Sequence, residues 1–370
     1  MRFVKKEDLK TGMRLARPIY NKKGVLLFER DSRLTQQAIE SVHNFGLLGI
    51  YVLDPAEPLP PLSDEDIEFE RFQTVSVSSI REEITKVLTG SGRSKLEYTI
   101  GTLTSKYGHL DKKIHFYQYL RSEDDYVYRH VFNVAVLCTM ITHRLNVKLE
   151  DQRVIISAAI LHDLGKLQMS SKKLFATGNV DTRIREALNI QNNMGDLIEN
   201  LGVDGIGIRR ICSQFVRIQM DMLNGEKTIP LQKITLGTRI LLVANRYDEL
   251  TAMDLTGKAQ TEVKALQEFR EKPEIYDPEV VKALTQSVHI LFPGVGVILE
   301  DGRKALVIKA NDDDVLRPVI LGFDDNKVLN LGLFDNRKIK IVDIMKTLDN
   351  RYIMDMDTVK KTLGQKKEEG

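Results

Sequence analysis

The stretch Ala158-Ala159-Ile160-Leu161-His162-Asp163-Leu164-Gly165-Lys166 decides the fold. It reads as the end of a buried helix that delivers an adjacent imidazole and carboxylate and then stops at Gly165. A helix this apolar needs packing on most of its sides. An imidazole and a carboxylate buried at its end are costly unless they are paired or bind a metal. Neutral imidazole with carboxylate is a good ligand set for divalent first-row metals. Taken alone, the dipeptide reads better as a core histidine held by its neighbour. The pattern around it changes that balance.

With 370 residues, the chain is too long for one simple core and suits two or three domains. A hydrophobic content of 42% and a charged content of 29% are ordinary for a soluble globular protein. A net charge of +2 gives no electrostatic case for general nucleic-acid binding. Cys138 and Cys212 both sit in apolar helical contexts, which fits buried free thiols and a cytoplasmic location better than a disulfide. The first residues lack a signal-peptide core, and the longest apolar runs fall short of a membrane-spanning helix.

Working outward, residues 1–53 read as a small α/β module. Met13 to Ile19 and Val25 to Phe28 are expected strands around a turn at Asn21-Lys22-Lys23-Gly24. Thr35 opens a helix, and Gly49 to Val52 closes the module as a strand. The module suits a sensor or partner-docking role and equally a structural appendage. Residues 54–70 read as a linker rich in proline and carboxylate. Residues 71–290 carry helical periodicity, with expected helices at Thr74 to Thr89, Leu96 to Tyr107, Tyr126 to Leu145, Val154 to Leu164, Ile184 to Leu201, Ile206 to Met222, Gly237 to Met253 and Glu279 to Leu291. Ser122 and Asp125 suit a capping box before the helix that carries His130. Residues 291–345 turn β-rich. Asp301-Gly302 lies between two apolar runs, a strong hairpin signal, and Arg317 to Leu321 and Lys338 to Val342 add strands. Residues 346–370 form a charged tail.

Four stretches together resemble the HD-GYP phosphodiesterases, bacterial metal-dependent enzymes that hydrolyse cyclic di-GMP. They are Arg129-His130-Val131-Phe132-Asn133-Val134, Leu161 to Lys166, Leu236 to Asp248, and Phe292-Pro293-Gly294-Val295 through Arg317-Pro318. The resemblance covers about residues 120 to 345, and the first fifty residues look like the small module often found ahead of such domains. It implies a mainly α fold: an HD-type helical bundle with a small N-terminal α/β module and a short β-rich C-terminal segment. It also implies metal ligands at His130, His162 and Asp163, and a phosphate-facing Lys166 if the site is active.

The departures bear on activity. Where the family places further metal ligands, this chain has Gln191, Asn245 and, in ungapped register, Val216 and Arg217. The histidines and the Gly-Tyr-Pro of the family's naming block are absent. A two-metal site needs enough imidazole and anionic ligands to hold dications against water. The residual set implies one divalent metal, iron or manganese, or none. His130 and His162 read as vestigial ligands or as hydrogen-bonded core histidines, and the missing partners favour the metal-poor state. Asp163 is expected to pair with His130, His162 or Arg217, and Asp248 to be structural. Lys166 reads as an anion holder or as a cation favoured beyond a helix C-terminus. The resemblance thus leads to a degenerate HD-GYP-like regulator that senses cyclic di-GMP or another nucleotide, docks a protein partner or pairs with itself, and does not bind membranes. The alternative is a phosphohydrolase working from His130, His162 and Asp163.

Overall fold

The computed structural model describes residues 2–345 except 22–24, 46, 48, 54–63, 92–94, 117–120, 177, 200–203 and 253–258. The expected turn at Lys22-Lys23-Gly24, the prolines of the linker and the charged tail therefore lie outside the described residues.

The N-terminal segment forms strands β1 (Arg2–Lys5), β2 (Arg14–Leu15), β3 (Ile19–Tyr20), β4 (Leu26–Phe28) and β5 (Gly49–Leu53), with helix α1 (Gln36–Asn44). The order β1-β5-β2 makes one antiparallel sheet, and β3 and β4 pair separately. Thr35 caps α1 by accepting from the Ala38 N–H, as its sequence position predicts. Ala38, Ile39 and Val42 face a small core with Leu15, Ile50 and Val52. The first strand, β1, escaped the sequence reading. The long expected strand from Met13 is two short ones, β2 and β3.

Twelve further helices build the bulk of the molecule among the described residues after β5. They are α2 (Asp64–Thr89), α3 (Leu96–Tyr107), α4 (Tyr126–Arg144), α5 (Leu149–Leu161), α6 (Leu164–Leu167), α7 (Ser171–Leu174), α8 (Val180–Asn192), α9 (Gly195–Glu199), α10 (Gly205–Asn224), α11 (Leu236–Thr251), α12 (Glu262–Glu271) and α13 (Pro278–Ser287). The expected linker over 54–70 is too long by its last seven residues. Phe69 continues the apolar spacing of Val77, Ile80 and Ile84 and packs on Tyr107 and Phe116, so the helix extends back through that stretch. The expected helix Ile184 to Leu201 is interrupted at Asn193-Met194 and becomes α8 and α9. Helix α13 ends at Ser287, short of the expected Leu291, and Val288 is already extended backbone.

Helix α4 runs through the centre, and its buried residues include His130, Val131, Phe132, Asn133 and Val134. It packs on α2, α3, α5, α11 and α13. The expected capping box forms just ahead of it. The Ser122 N–H donates to Asp125 Oδ1 at 2.6 Å, and the Asp125 N–H donates to Ser122 Oγ at 3.2 Å. The last segment is a five-stranded antiparallel sheet, β6 (Gly296–Leu299), β7 (Lys304–Lys309), β8 (Val319–Gly322), β9 (Val328–Asn330) and β10 (Ile341–Ile344), in the order β10-β6-β7-β8-β9. Gly302, at φ +84, makes the β6–β7 turn that Asp-Gly signals. The mainly α architecture with strands at both ends is the one expected. No helix among the described residues is long and apolar enough to cross a membrane.

Candidate metal centre

Three helices converge on the site. α4 supplies His130, the end of α5 supplies His162 and then Asp163, and α11 supplies Asn245 and Asp248. All five side chains are buried. His130, His162 and Asp163 offer ligand atoms within 4.8 Å of one another.

The orientation of each imidazole is fixed by its Nδ1. His130 Nδ1–H donates to Asp248 Oδ2 at 2.6 Å, and His162 Nδ1–H donates to the Ala159 carbonyl at 2.8 Å. Both Nε2 atoms therefore face the same small volume. Asn245 Oδ1 lies 2.9 Å from His130 Nε2 and 3.1 Å from His162 Nε2, and an Asp163 oxygen lies 3.8 Å from His130 Nε2. A histidine held through Nδ1 by a carboxylate or a backbone carbonyl is the usual outer support of a metal-binding imidazole.

Charge is balanced around this volume. Burial pushes the His162 imidazole down to about 4, and the neighbouring Asp163 offsets only part of that, so the ring is neutral at neutral pH. Burial opposes the charge on Asp248, but Arg121 and the His130 hydrogen bond outweigh it and hold the carboxyl well below the usual range. Arg121 Nη2 reaches both Asp248 oxygens, at 2.9 and 2.7 Å. Asn133 Nδ2 donates to Asp248 Oδ1 at 2.8 Å, and Gln73 Nε2 donates to Asn133 Oδ1 at 2.6 Å. Lys166 Nζ lies 2.9 Å from Asp163 Oδ2. Burial opposes the ammonium charge, but Asp163 and Glu249 raise its pKa above the ordinary value.

The His130, His162 and Asp163 donor set could hold a metal ion. The neutral His162 Nε2 presents a lone pair to Asn245 Oδ1, also an acceptor, while Asn245 Nδ2 is buried without a hydrogen-bond partner among the described residues. Two arrangements relieve that clash: the amide turns and Nδ2 donates, or a cation sits among the acceptors. Ligand atoms about 2.1 Å from an octahedral dication lie about 3 Å apart. The separations of 2.9 and 3.1 Å around Asn245 match that spacing, and the 3.8 Å between Asp163 and His130 Nε2 exceeds it.

The other expected positions do not join this group. Gln191 is buried, but its amide is spent on backbone: Oε1 accepts from the Gly165 N–H at 2.8 Å and Nε2 donates to the Leu161 carbonyl at 2.9 Å. Val216 is buried and Arg217 is exposed. Phe215, beside them, sets its ring edge-on to His162 at 5.1 Å between centroids. Asp163 pairs with Lys166 and lies 3.8 Å from His130, one of its three expected partners, while Arg217 is exposed, and Asp248 is the hub that orients His130. Arg121, Asn133 and Gln73 were not singled out from sequence. Asn133, one turn after His130 on an otherwise apolar helix face, carried a readable signal.

Residues 127–206 match the HD domain. This HD match spans His130, His162, Asp163 and Gln191. A cyclic di-GMP phosphodiesterase of Pseudomonas aeruginosa is 26% identical over 210 residues, which is 55% of this chain and 49% of that protein. The chain thus spans about half the length of this curated relative.

Proposed function

We propose that this HD protein is a non-hydrolysing, nucleotide-responsive component of bacterial cyclic di-GMP signalling, with a site for one divalent cation. The observation that carries the reading is Gln191. Its amide closes the turn between Leu161 and Gly165 with both of its ends, at 2.9 and 2.8 Å, so Gln191 itself has no donor atom to spare for a second metal. Hydrolysis in the two-metal manner needs both the attacking and the leaving oxygen clamped. One cation on His130, His162, Asp163 and Asn245 would supply Lewis acidity at a single point. In this reading Asp248 and the Ala159 carbonyl aim the imidazoles, and Lys166 stands beside Asp163 to receive an anionic oxygen. The likeness to a cyclic di-GMP phosphodiesterase supports the choice of nucleotide.

The same proposal takes residues 1–53 as a module, 71–290 as the helical domain and 291–345 as its β-rich closing segment. It also takes a protein partner or a second copy as the readout and the cytoplasm as the location. A second reading, a phosphohydrolase with a reduced site, is favoured by the intact His130, His162 and Asp163. The test offers cyclic di-GMP to the full chain supplied with manganese or iron. Binding by calorimetry is followed alongside linear product by chromatography. Binding without product supports the regulator. Product formation that His162→Ala and Asp163→Ala abolish establishes the phosphohydrolase instead.

A further inference from the structure

Residues 121–125 touch two parts of the molecule at once. On one side they meet the N-terminal module. Leu47 forms an isolated antiparallel bridge with Ser122, and Lys6 Nζ lies 3.4 Å from Glu123 Oε1. Burial raises the phenol of Tyr51 on β5, and the Arg17 and Arg121 guanidinium groups act against that rise, so Arg121 lies within electrostatic reach of the module. On the other side the same residues hold the site. Arg121 grips both oxygens of Asp248, whose Oδ2 accepts the His130 Nδ1–H.

The Arg121 and Asp248 side chains are 2% and 0% exposed. A guanidinium–carboxylate pair is directional, and separating it here would strand a charge without water. Arg121 therefore cannot shift without moving Asp248. A second path runs parallel. Tyr20 on β3 lies within electrostatic reach of Glu70 and Arg71 of α2, and one turn on from Glu70 the Gln73 amide holds Asn133, which holds Asp248. Both paths from the module end on the one carboxylate that aims His130.

We propose that the N-terminal module is the regulatory input of the metal centre: its docking on Ser122 and Glu123 sets Arg121, and through Asp248 the aim of His130, so that displacing the module weakens divalent-cation binding. The inference rests on the one-cation site of the proposed function. Arg121 and Asp248 are positioning residues in it. Contacts run without a break from Leu47 and Lys6 through residues 121–123 to Asp248 and His130, and the coupling itself is what must be measured.

The test uses the full chain, parental and loosened by Lys6→Glu with Tyr51→Ala. A third form adds Leu47→Cys with Ser122→Cys to the loosened chain and oxidises that pair. Bridged residues lie about 4.5–5.5 Å apart at Cα, within reach of a disulfide. The native Cys138 and Cys212 are buried and stay out of the reaction. Manganese affinity is measured by calorimetry, and amide exchange of metal-free protein is followed over residues 121–125, 126–135 and 236–251. The loosened chain is expected to exchange faster over all three stretches and to bind manganese at least about threefold more weakly, the scale of one partly exposed ion pair. The oxidised lock is expected to restore both. Faster exchange at 121–125 with unchanged affinity and unchanged exchange at 126–135 overturns the proposal. Unchanged exchange at 121–125 overturns it too, since the module is then not held by these contacts. If the parental chain binds no manganese, the one-cation reading fails by itself, and exchange at 126–135 still decides the coupling.

Discussion

Asp248 accepts the Nδ1–H of His130 at 2.6 Å while its two oxygens are gripped by Arg121. One buried carboxylate thus fixes which imidazole nitrogen faces the candidate metal volume. The arrangement is stable only as a set, because each member neutralises or satisfies another in a place without water.

Arg121→Met takes from the buried Asp248 carboxylate the guanidinium that grips both of its oxygens. The expected loss is about 3–5 kcal/mol of folding stability. Urea unfolding at neutral pH measures it. Arg121→Met combined with Asp248→Leu is expected to recover part of the loss, since it removes the stranded charge. A double variant no more stable than the single one contradicts this account of the pair.

Gln191→Leu keeps the volume and removes the clamp. The Gly165 N–H and the Leu161 carbonyl each lose a buried partner, at roughly 1–3 kcal/mol apiece. Gln191→His places an imidazole, a common metal ligand, at this position, yet it too gives up the clamp. It is expected to destabilise the fold without adding a second bound metal, as read by denaturation and elemental analysis.

Gly165 admits no side chain. A Cβ there would meet the Ala187 carbonyl oxygen and lie 2.8 Å from the Gln191 nitrogen, and both are backbone atoms. Gly165→Ala is expected to cost about 1–3 kcal/mol by overpacking α6 against α8. A thermal midpoint equal to the parent's would show that the two helices separate freely.

His162, held down to about 4 by burial, gives the metal-free protein a specific acid response. Between about pH 6.5 and 4 the unfolded chain takes up a proton that the folded ring refuses, so stability falls as pH falls through that window. The slope contributed is at most about 1.4 kcal/mol per pH unit. His162→Gln is expected to flatten this part of the profile in chelator-treated protein. A profile unchanged by the substitution would mean that His162 is not the group excluded from protonation.

The sequence exposed those parts of the site whose members are neighbours in the chain. His162 and Asp163 adjoin, and His130 and Asn245 sit on strongly periodic apolar helices. Pairings across long sequence separations were not readable. Arg121 and Asp248 lie 127 residues apart, and Gln73 and Asn133 lie 60 apart. Nothing local marks Arg121 as a partner of a buried carboxylate. The role of Gln191 was hidden for the same reason: as a missing ligand it looked like a loss, while in the fold its amide closes a turn. Helix α12 carried a signal that went unread, since Val263, Leu266 and Phe269 recur at helical spacing and are buried. The start of α2 was masked by a run of carboxylates, although Phe69 already belonged to the apolar stripe.

The most direct test of the central claim is the number of divalent cations that the full chain holds. Metal-free protein is titrated with manganese, and bound and free ion are separated by electron paramagnetic resonance. The account predicts one site per chain, lost in His162→Ala and weakened in Asn245→Ala. Two sites of comparable affinity, or one site indifferent to His162→Ala, would contradict it.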